Sequence, residues 1–156
     1  MPRVRGATLA VPLPDGRVLV GPRWGVFSDY RTLGGDRRGF RKPTSALLEI
    51  YDPATGTFRL AGSAPGAATS ATLLRTGKVL LAGHVADLLK PTVRTWAATF
   101  DPERGVTELT ASPLAPFAVS ARLADGRVLF AGGFVGPDRG GGGWPPRASG
   151  SLEIFE

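Results

Sequence analysis

Arginine and aromatic side chains, which offer most of the binding chemistry in this sequence, concentrate in three segments. Segments 22–45, 84–94 and 133–149 hold ten basic and four acidic residues, leaving nine of each elsewhere. The whole formal net charge of +6 therefore falls within them. Guanidinium groups bind carboxylates through paired hydrogen bonds and stack on aromatic rings, so these segments predict a surface for an acidic ligand. The residues expected to contact that ligand are Arg23, Trp24, Tyr30, Arg37, Arg38, Arg41, Arg94, Arg139, Trp144 and Arg147.

Few side chains in the sequence could carry catalysis or bind a metal ion. His84 is the only histidine and no cysteine occurs. A nucleophile triad or a metal cluster needs partners that we do not find around His84, and we expect this residue to occupy a turn at a strand end. The run from Gly140 to Gly143 lacks the Lys-Ser/Thr pair of a phosphate-binding loop. We therefore predict no catalytic residue, no metal site and no cofactor.

The basic segments interrupt an internal repeat of about fifty residues. Its copies read ATLAVPLPDGRVLVG from residue 7, ATLLRTGKVLLAG from residue 71 and SARLADGRVLFAGG from residue 120. Twenty-two Gly and fourteen Pro among 156 residues disfavour long helices,. We therefore predict a single all-β domain over residues 1–156, built from three units at about 7–62, 70–111 and 119–156.

Each unit follows one order of strand signals. An apolar first strand meets an Asp15-Gly16, Thr76-Gly77 or Asp125-Gly126 turn, which we interpret as a two-residue type I′ hairpin leading into the second strand. A third strand (LLEIY, WAATF or SLEIF) follows after a segment of variable length. In two copies this strand ends in Asp-Pro, a turn signal, and a fourth strand begins. An antiparallel meander places the segments between strands 2 and 3 at one end, so the basic segments should share a face.

The repeat resembles the Kelch repeat family, especially its bacterial version. The residues that carry the resemblance are DGRVLFAGG at 125–133 and EIYDPATGTF at 49–58. It implies a β-propeller, in which each four-stranded sheet is one blade around a central channel. The sequence departs from the pattern where Gly83-His84 and Gly21-Pro22 replace a double glycine, and where Thr107 replaces the fourth-strand aromatic.

Three functions of different classes remain open, two of them implied by the resemblance. Kelch-like propellers commonly bind proteins or carbohydrates without catalysis, and this interpretation is favoured, with an acidic protein or carbohydrate as the ligand. Others resemble mutarotases or epimerases of acidic sugars, in which arginines could hold a carboxylate. A copper oxidase is disfavoured because its thioether-linked site needs Cys. Nucleic-acid binding is supported by charge alone.

The number of units raises a problem of closure. Propellers have about four to eight blades, whereas this sequence offers about three, an incomplete ring. The chain would then be a fragment of a longer propeller, or half of a six-bladed homodimer. No apolar run approaches the roughly 20 residues of a membrane helix, so we expect no membrane insertion. Arg3 and Arg5 precede a short apolar run without a signal cleavage pattern, and composition leaves the compartment open.

Overall fold

The computed structural model describes residues 9–24, 46–87, 92–113, 115–135 and 147–155. Over these ranges the chain forms strands, turns and irregular segments, and no helix. The predicted all-β class is therefore confirmed. Within the same ranges, no helix is long and apolar enough to cross a membrane.

Two antiparallel sheets of four strands follow each other along the chain. The first, called here the N-terminal sheet, contains β1 (Leu9–Pro12), β2 (Val18–Trp24), β3 (Ala46–Asp52) and β4 (Thr57–Ala64) in that spatial order. The second, the middle sheet, contains β5 (Ala67–Leu73), β6 (Val79–Asp87), β7 (Thr92–Asp101) and β8 (Gly105–Glu108), also in order. Both are meanders, as the repeat predicts.

The third copy of the repeat forms a more interrupted sheet. Strand β9 (Val119–Arg122) pairs with β10 (Val128–Ala131), and after it a short ladder joins β11 (Phe134–Val135) to β12 (Arg147–Ala148). Strand β13 (Leu152–Phe155) then pairs with β10, completing what we call the C-terminal sheet, β9, β10 and β13. Positive φ angles of 74° at Gly132 and 97° at Gly133 separate β10 from β11.

The hairpins between the first two strands of each sheet form as predicted, but their turn type differs. In the N-terminal sheet the amide of Leu13 donates to the carbonyl of Arg17 at 2.7 Å, and the amide of Gly16 donates to the carbonyl of Leu13 at 3.0 Å. A type I′ turn needs a positive φ at both central residues. Gly16 has a φ of 86°, but the φ of Asp15 is not positive. The loop is therefore a three-residue turn closed by a left-handed glycine. The same two bonds recur in the other sheets.

The Asp-Pro turns form as the sequence predicts. A carboxylate oxygen of Asp52 accepts from the amide of Ala54 at 2.9 Å, and Asp101 likewise accepts from the amide of Glu103 at 2.9 Å. Gly56 and Gly105 follow with positive φ angles of 67° and 80°. Each turn thus satisfies its own backbone and leads directly into the fourth strand.

The core lies between the sheets, which pack face to face in chain order. One buried cluster joins Leu19 and Ile50 of the N-terminal sheet to Leu81 and Phe100 of the middle sheet. A second cluster joins the opposite face of the middle sheet to the C-terminal sheet through Leu80, Ala82, Val128 and Phe130. The middle sheet is therefore covered on both faces.

The hairpin turns of neighbouring sheets lie together at one end of the molecule. The guanidinium group of Arg75 donates to the carbonyl of Ala124, and a Cβ added to Gly77 would lie 3.7 Å from Cγ of Pro14. We call this the turn end. The opposite end, where strand 2 of each sheet stops and strand 3 begins, is called the loop end.

Candidate functional site

The structure locates only part of the ligand surface predicted from sequence. Six of its ten residues lie outside the described ranges, and the other four are in strands. The six are Tyr30, Arg37, Arg38, Arg41, Arg139 and Trp144. The four are Arg23 and Trp24 in β2, Arg94 in β7 and Arg147 in β12.

The basic segments are therefore shorter than the predicted limits of 22–45, 84–94 and 133–149. Strand β2 continues to Trp24, β6 continues to Asp87, and β7 begins at Thr92, because the strands run beyond the apolar residues by which we recognised them. All four strand residues nevertheless lie at the loop end. The side chain of Arg94, opposite Val85, is exposed there. The structure thus brings these four backbone positions to the predicted end of the sheets.

An aromatic cluster that the sequence did not single out lies at the same end. The rings of His84 and Phe117 are 4.2 Å apart between centroids and tilted by 45°. Phe117 in turn meets Phe134 edge to face at 5.7 Å. We call these three residues the loop-end cluster. They belong to β6, to the connection between β8 and β9, and to β11, so three separate parts of the chain build it.

Both phenylalanines of the loop-end cluster present apolar surface to solvent. Phe117 is 47% exposed and Phe134 is 41% exposed. Phe117 also has φ of 63°, the one positive value among the described non-glycine residues. A bulky residue in the left-handed region costs on the order of 1–2 kcal/mol, and such strain concentrates at binding sites. The conformation holds an aromatic ring at the surface, against the usual tendency to bury it.

Gly133 explains how Phe134 reaches the cluster. A Cβ at Gly133 would lie 2.5 Å from the carbonyl oxygen of Pro116, closer than any side chain tolerates. The amide of Phe134 donates to that same carbonyl at 2.9 Å. The glycine therefore lets β11 pass directly against the segment that carries Phe117. The double glycine of the third copy thus brings two aromatic rings together.

His84 does not occupy the turn that the sequence predicted. It lies within β6, opposite Thr95, and is buried. The strand continues because Gly83 packs against β5: a Cβ at Gly83 would lie 1.9 Å from the carbonyl oxygen of Ala67. The following residue then points away from this contact, along the same face as Leu80 and Ala82, toward Phe117.

Burial also determines the charge of His84. Desolvation lowers the pKa of its imidazole below the ordinary value, so the ring is neutral at pH 7. Its Nδ1 atom is enclosed and has no hydrogen-bond partner among the described residues. The neutral imidazole packs against the Phe117 ring at a tilt of 45° and so supports it. Nearby, the hydroxyl groups of Thr95 and Ser112 are 3.1 Å apart and fix the connection that follows β8.

The turn end carries different chemistry. Asp15 pairs with Arg17 at 2.6 Å, Asp125 pairs with Arg127 at 2.7 Å, and Lys78 lies 3.6 Å from Asp101. Hydrogen bonds from the Arg17 and Arg127 side chains lower the pKa values of Asp15 and Asp125, while the amide of Glu103 lowers that of Asp101. Arg17, Arg127 and Lys78 are therefore each paired with a neighbouring carboxylate.

A cavity of about 300 Å³ also opens between the middle and C-terminal sheets at the turn end. Its walls are mainly aliphatic and aromatic, from residues including Leu74, Leu109 and Phe155, with Arg75 beside them. Among the described residues, no group of three or more His, Cys, Asp or Glu side chains could hold a metal ion.

Neither the known family models nor the curated proteins contain a match to this chain.

Proposed function

We propose that this chain forms three blades of a Kelch-type β-propeller that recognises an acidic protein or carbohydrate ligand without catalysis, at its loop end. The succession of antiparallel meanders packed face to face supports the propeller. So does the contact between first strands: the hydroxyl groups of Thr72 in β5 and Ser120 in β9 are 2.6 Å apart. First strands that meet in this way are expected beside a central channel.

The loop-end cluster is the observation that carries the binding proposal. It exposes two phenylalanine rings, supports one of them on a buried imidazole, and maintains a strained backbone to do so. Exposed aromatic groups held rigidly bind with little loss of conformational entropy. They lie at the end from which the basic segments depart, so stacking and charge pairing would act on one ligand.

Recognition without chemical conversion is favoured by the environment of His84. This residue is the titratable group of the loop-end cluster, and its Nδ1 atom is enclosed. A general acid or base must reach the substrate proton within hydrogen-bond distance. A side chain that mainly supports an aromatic ring fits a binding surface better.

The proposal is tested by calorimetric titration with two probes, an oligogalacturonate and a polyglutamate peptide, at about 50 and about 300 mM salt. We expect one probe to bind, and to bind more weakly at high salt because exposed charges are screened. Replacing Arg37, Arg38 and Arg41 together by Ala should weaken binding about tenfold, since exposed charge pairs contribute about 0.5 kcal/mol each. Phe134→Ala should weaken it independently of salt.

The matched control replaces Arg17, Lys78 and Arg127 by Ala, which removes three positive charges from the turn end. Binding should persist in this variant, and thermal melting of every variant checks that it folds. Equal losses from the two triple variants would mean that only net charge matters, and the loop-end proposal would then be wrong. If NMR shows that the sugar probe is converted, the chain would instead be a mutarotase-like enzyme.

A further inference from the structure

Each sheet has two faces, and residues at the same repeat position lie on the same face in all three sheets. In each sheet, the cross-strand rows of the register define one face that we call forward and one that we call rear. The forward rows are Val11, Leu19 and Ile50; then Thr72, Leu80 and Thr99; then Ala121, Leu129 and Ile154. The rear rows are Pro12, Val18 and Tyr51; then Leu73, Val79 and Phe100; then Arg122, Val128 and Phe155.

The sheets pack forward face to rear face, twice in the same order. The forward residues Leu19 and Ile50 share one buried cluster with the rear residues Val79 and Phe100. The forward residue Leu80 shares the next cluster with the rear residue Val128. The hydrogen bond between Thr72 and Ser120 crosses this second interface in the same sense. The repeat thus encodes one kind of interface and uses it two times.

The forward face of the C-terminal sheet is exposed where its equivalents are buried. Leu152 is 69% exposed and Ile154 is 48% exposed, whereas their repeat equivalents Leu48 and Ile50 are fully buried. The neighbouring row of this face is also apolar, with Val119, Ala131 and Leu152 opposite one another. Contiguous apolar surface of this kind marks an interaction site.

The rear face of the N-terminal sheet is also less buried than the equivalent face of the middle sheet. Val18 and Val20 are half-buried, although the equivalent residues Val79 and Leu81 of the middle sheet are fully buried. Tyr51 is half-buried too, whereas Phe100 at the same repeat position is buried. This face therefore has the residue types of a rear face without the coverage that the other two rear faces receive.

We propose that the forward face of the C-terminal sheet docks on the rear face of the N-terminal sheet of a second copy of this chain. A rear face of the repeat is the surface that covers a forward face in both interfaces of the molecule. A second copy supplies that surface, and a two-fold axis would cover all four exposed faces at once. Two copies would then bring together six sheets, within the range of about four to eight blades that closes a propeller.

The alternative of pairing like with like is disfavoured by the same packing. Contact between two forward faces occurs nowhere among the described sheets, and it would leave both rear faces exposed. The docking proposal does not depend on the ligand proposal, because the exposed faces lie on the sides of the sheets rather than at the loop end.

The test measures molar mass by light scattering during gel filtration of the full chain at about 100 μM. We expect the wild type to elute with twice the chain mass of 16.3 kDa. Leu152→Glu places a charge on the forward face, and Val20→Lys places one on the rear face opposite Glu49. Leu152→Glu should raise the dimer dissociation constant at least about a hundredfold, because it buries an unpaired charge. Val20→Lys should raise it by a smaller factor, because the carboxylate of Glu49 on the neighbouring strand offsets part of the cost of burying the ammonium group,.

Mixing the two variants distinguishes this arrangement from others. A mixed dimer has one wild-type interface and one in which the introduced carboxylate faces the introduced ammonium group. Because these two charges are opposite, dimers should reappear at the mixing ratio of one to one. The matched control is Ala54→Glu in the Asp-Pro turn, where the middle sheet already carries Glu103. It should remain dimeric.

Other outcomes would overturn the proposal. A monomeric wild type would show that these faces do not bind a second copy of the chain. Variants that remain dimeric, or a mixture that does not recover dimers, would show a different interface. Circular dichroism and melting confirm folding of each variant, and Ile154→Glu with Val18→Lys provides a second pair if either of the first fails to fold.

Discussion

Gly83→Ala is the substitution whose outcome the structure determines most sharply. In an ordinary strand, replacing Gly by Ala gains roughly 0.5–1 kcal/mol, because glycine loses more conformational freedom on folding. At Gly83 the new Cβ would lie 1.9 Å from the carbonyl oxygen of Ala67 and 2.8 Å from Cα of Ala68. Both atoms belong to the backbone of β5, which cannot rotate out of the way as a flexible side chain would.

The expected result is a large loss of stability. Forcing atoms into a packed region costs about 1–3 kcal/mol, occasionally more, and a backbone clash places this variant at the upper end, well above the entropic gain. A chain of this size loses about 2–4 °C in melting temperature for each kcal/mol, so we expect a decrease of about 6–10 °C. Thermal unfolding followed by circular dichroism, with denaturant titration for the free energy, measures it.

Gly16→Ala provides the matched control. Gly16 has φ of 86° but nothing within 4 Å of the added Cβ, so this variant incurs only the cost of the left-handed conformation, about 1 kcal/mol or a few degrees. If the Gly83→Ala variant has a melting temperature as high as that of Gly16→Ala, β5 does not approach β6 as closely as described. The proposed reason for the in-strand position of His84 would then be wrong as well.

Two further predictions concern buried polar groups. Ser120→Ala should lower the free energy of unfolding, measured by denaturant titration, by about 1–2 kcal/mol, because it leaves the buried Thr72 hydroxyl without that partner,. Adding Thr72→Val should recover part of the loss, and strictly additive losses would argue against the bond. Acidification from about pH 7.5 to about pH 5.5 should destabilise the wild type more than His84→Gln. The reason is that the unfolded histidine, with a pKa of about 6.5, binds a proton in this range more readily than the folded one, whose pKa is lowered by burial. Equal pH dependence of the two proteins would contradict a buried neutral His84.

The local pattern of the repeat predicted the strands well. Alternating apolar residues identified β3 and β7, and each Asp-Pro turn formed because the aspartate accepts bonds from amides within two residues. These features depend on neighbours in sequence. The turn type was less accessible: Asp-Gly signals a hairpin, but the choice of a three-residue loop depends on the register that the paired strands adopt.

The loop-end cluster could not be predicted because it depends on contacts distant in sequence. His84, Phe117 and Phe134 come from three parts of the chain, and no spacing rule connects them. Two signals were present: Gly132-Gly133 marked a close backbone approach, and His84 stood where the repeat has glycine. Neither identifies its spatial neighbour. The four predicted residues that the structure describes lie at the expected end of the sheets, because a meander determines that end from strand order alone,.

Coverage of the middle sheet on both faces has a consequence for local unfolding. Each sheet is continuous in sequence, and in the described part of the chain the main contacts between sheets join neighbours in the stack. Stability is therefore distributed along one dimension, as in repeat proteins. Amide protons of β6 and β7 can exchange only when a neighbouring interface has opened, whereas β1 and β13 belong to sheets that a single copy of the chain covers on one face. Fluctuations should therefore begin at the two outer sheets and reach the middle one last. The central sheet would serve as the persistent nucleus on which the other two repeatedly reassemble.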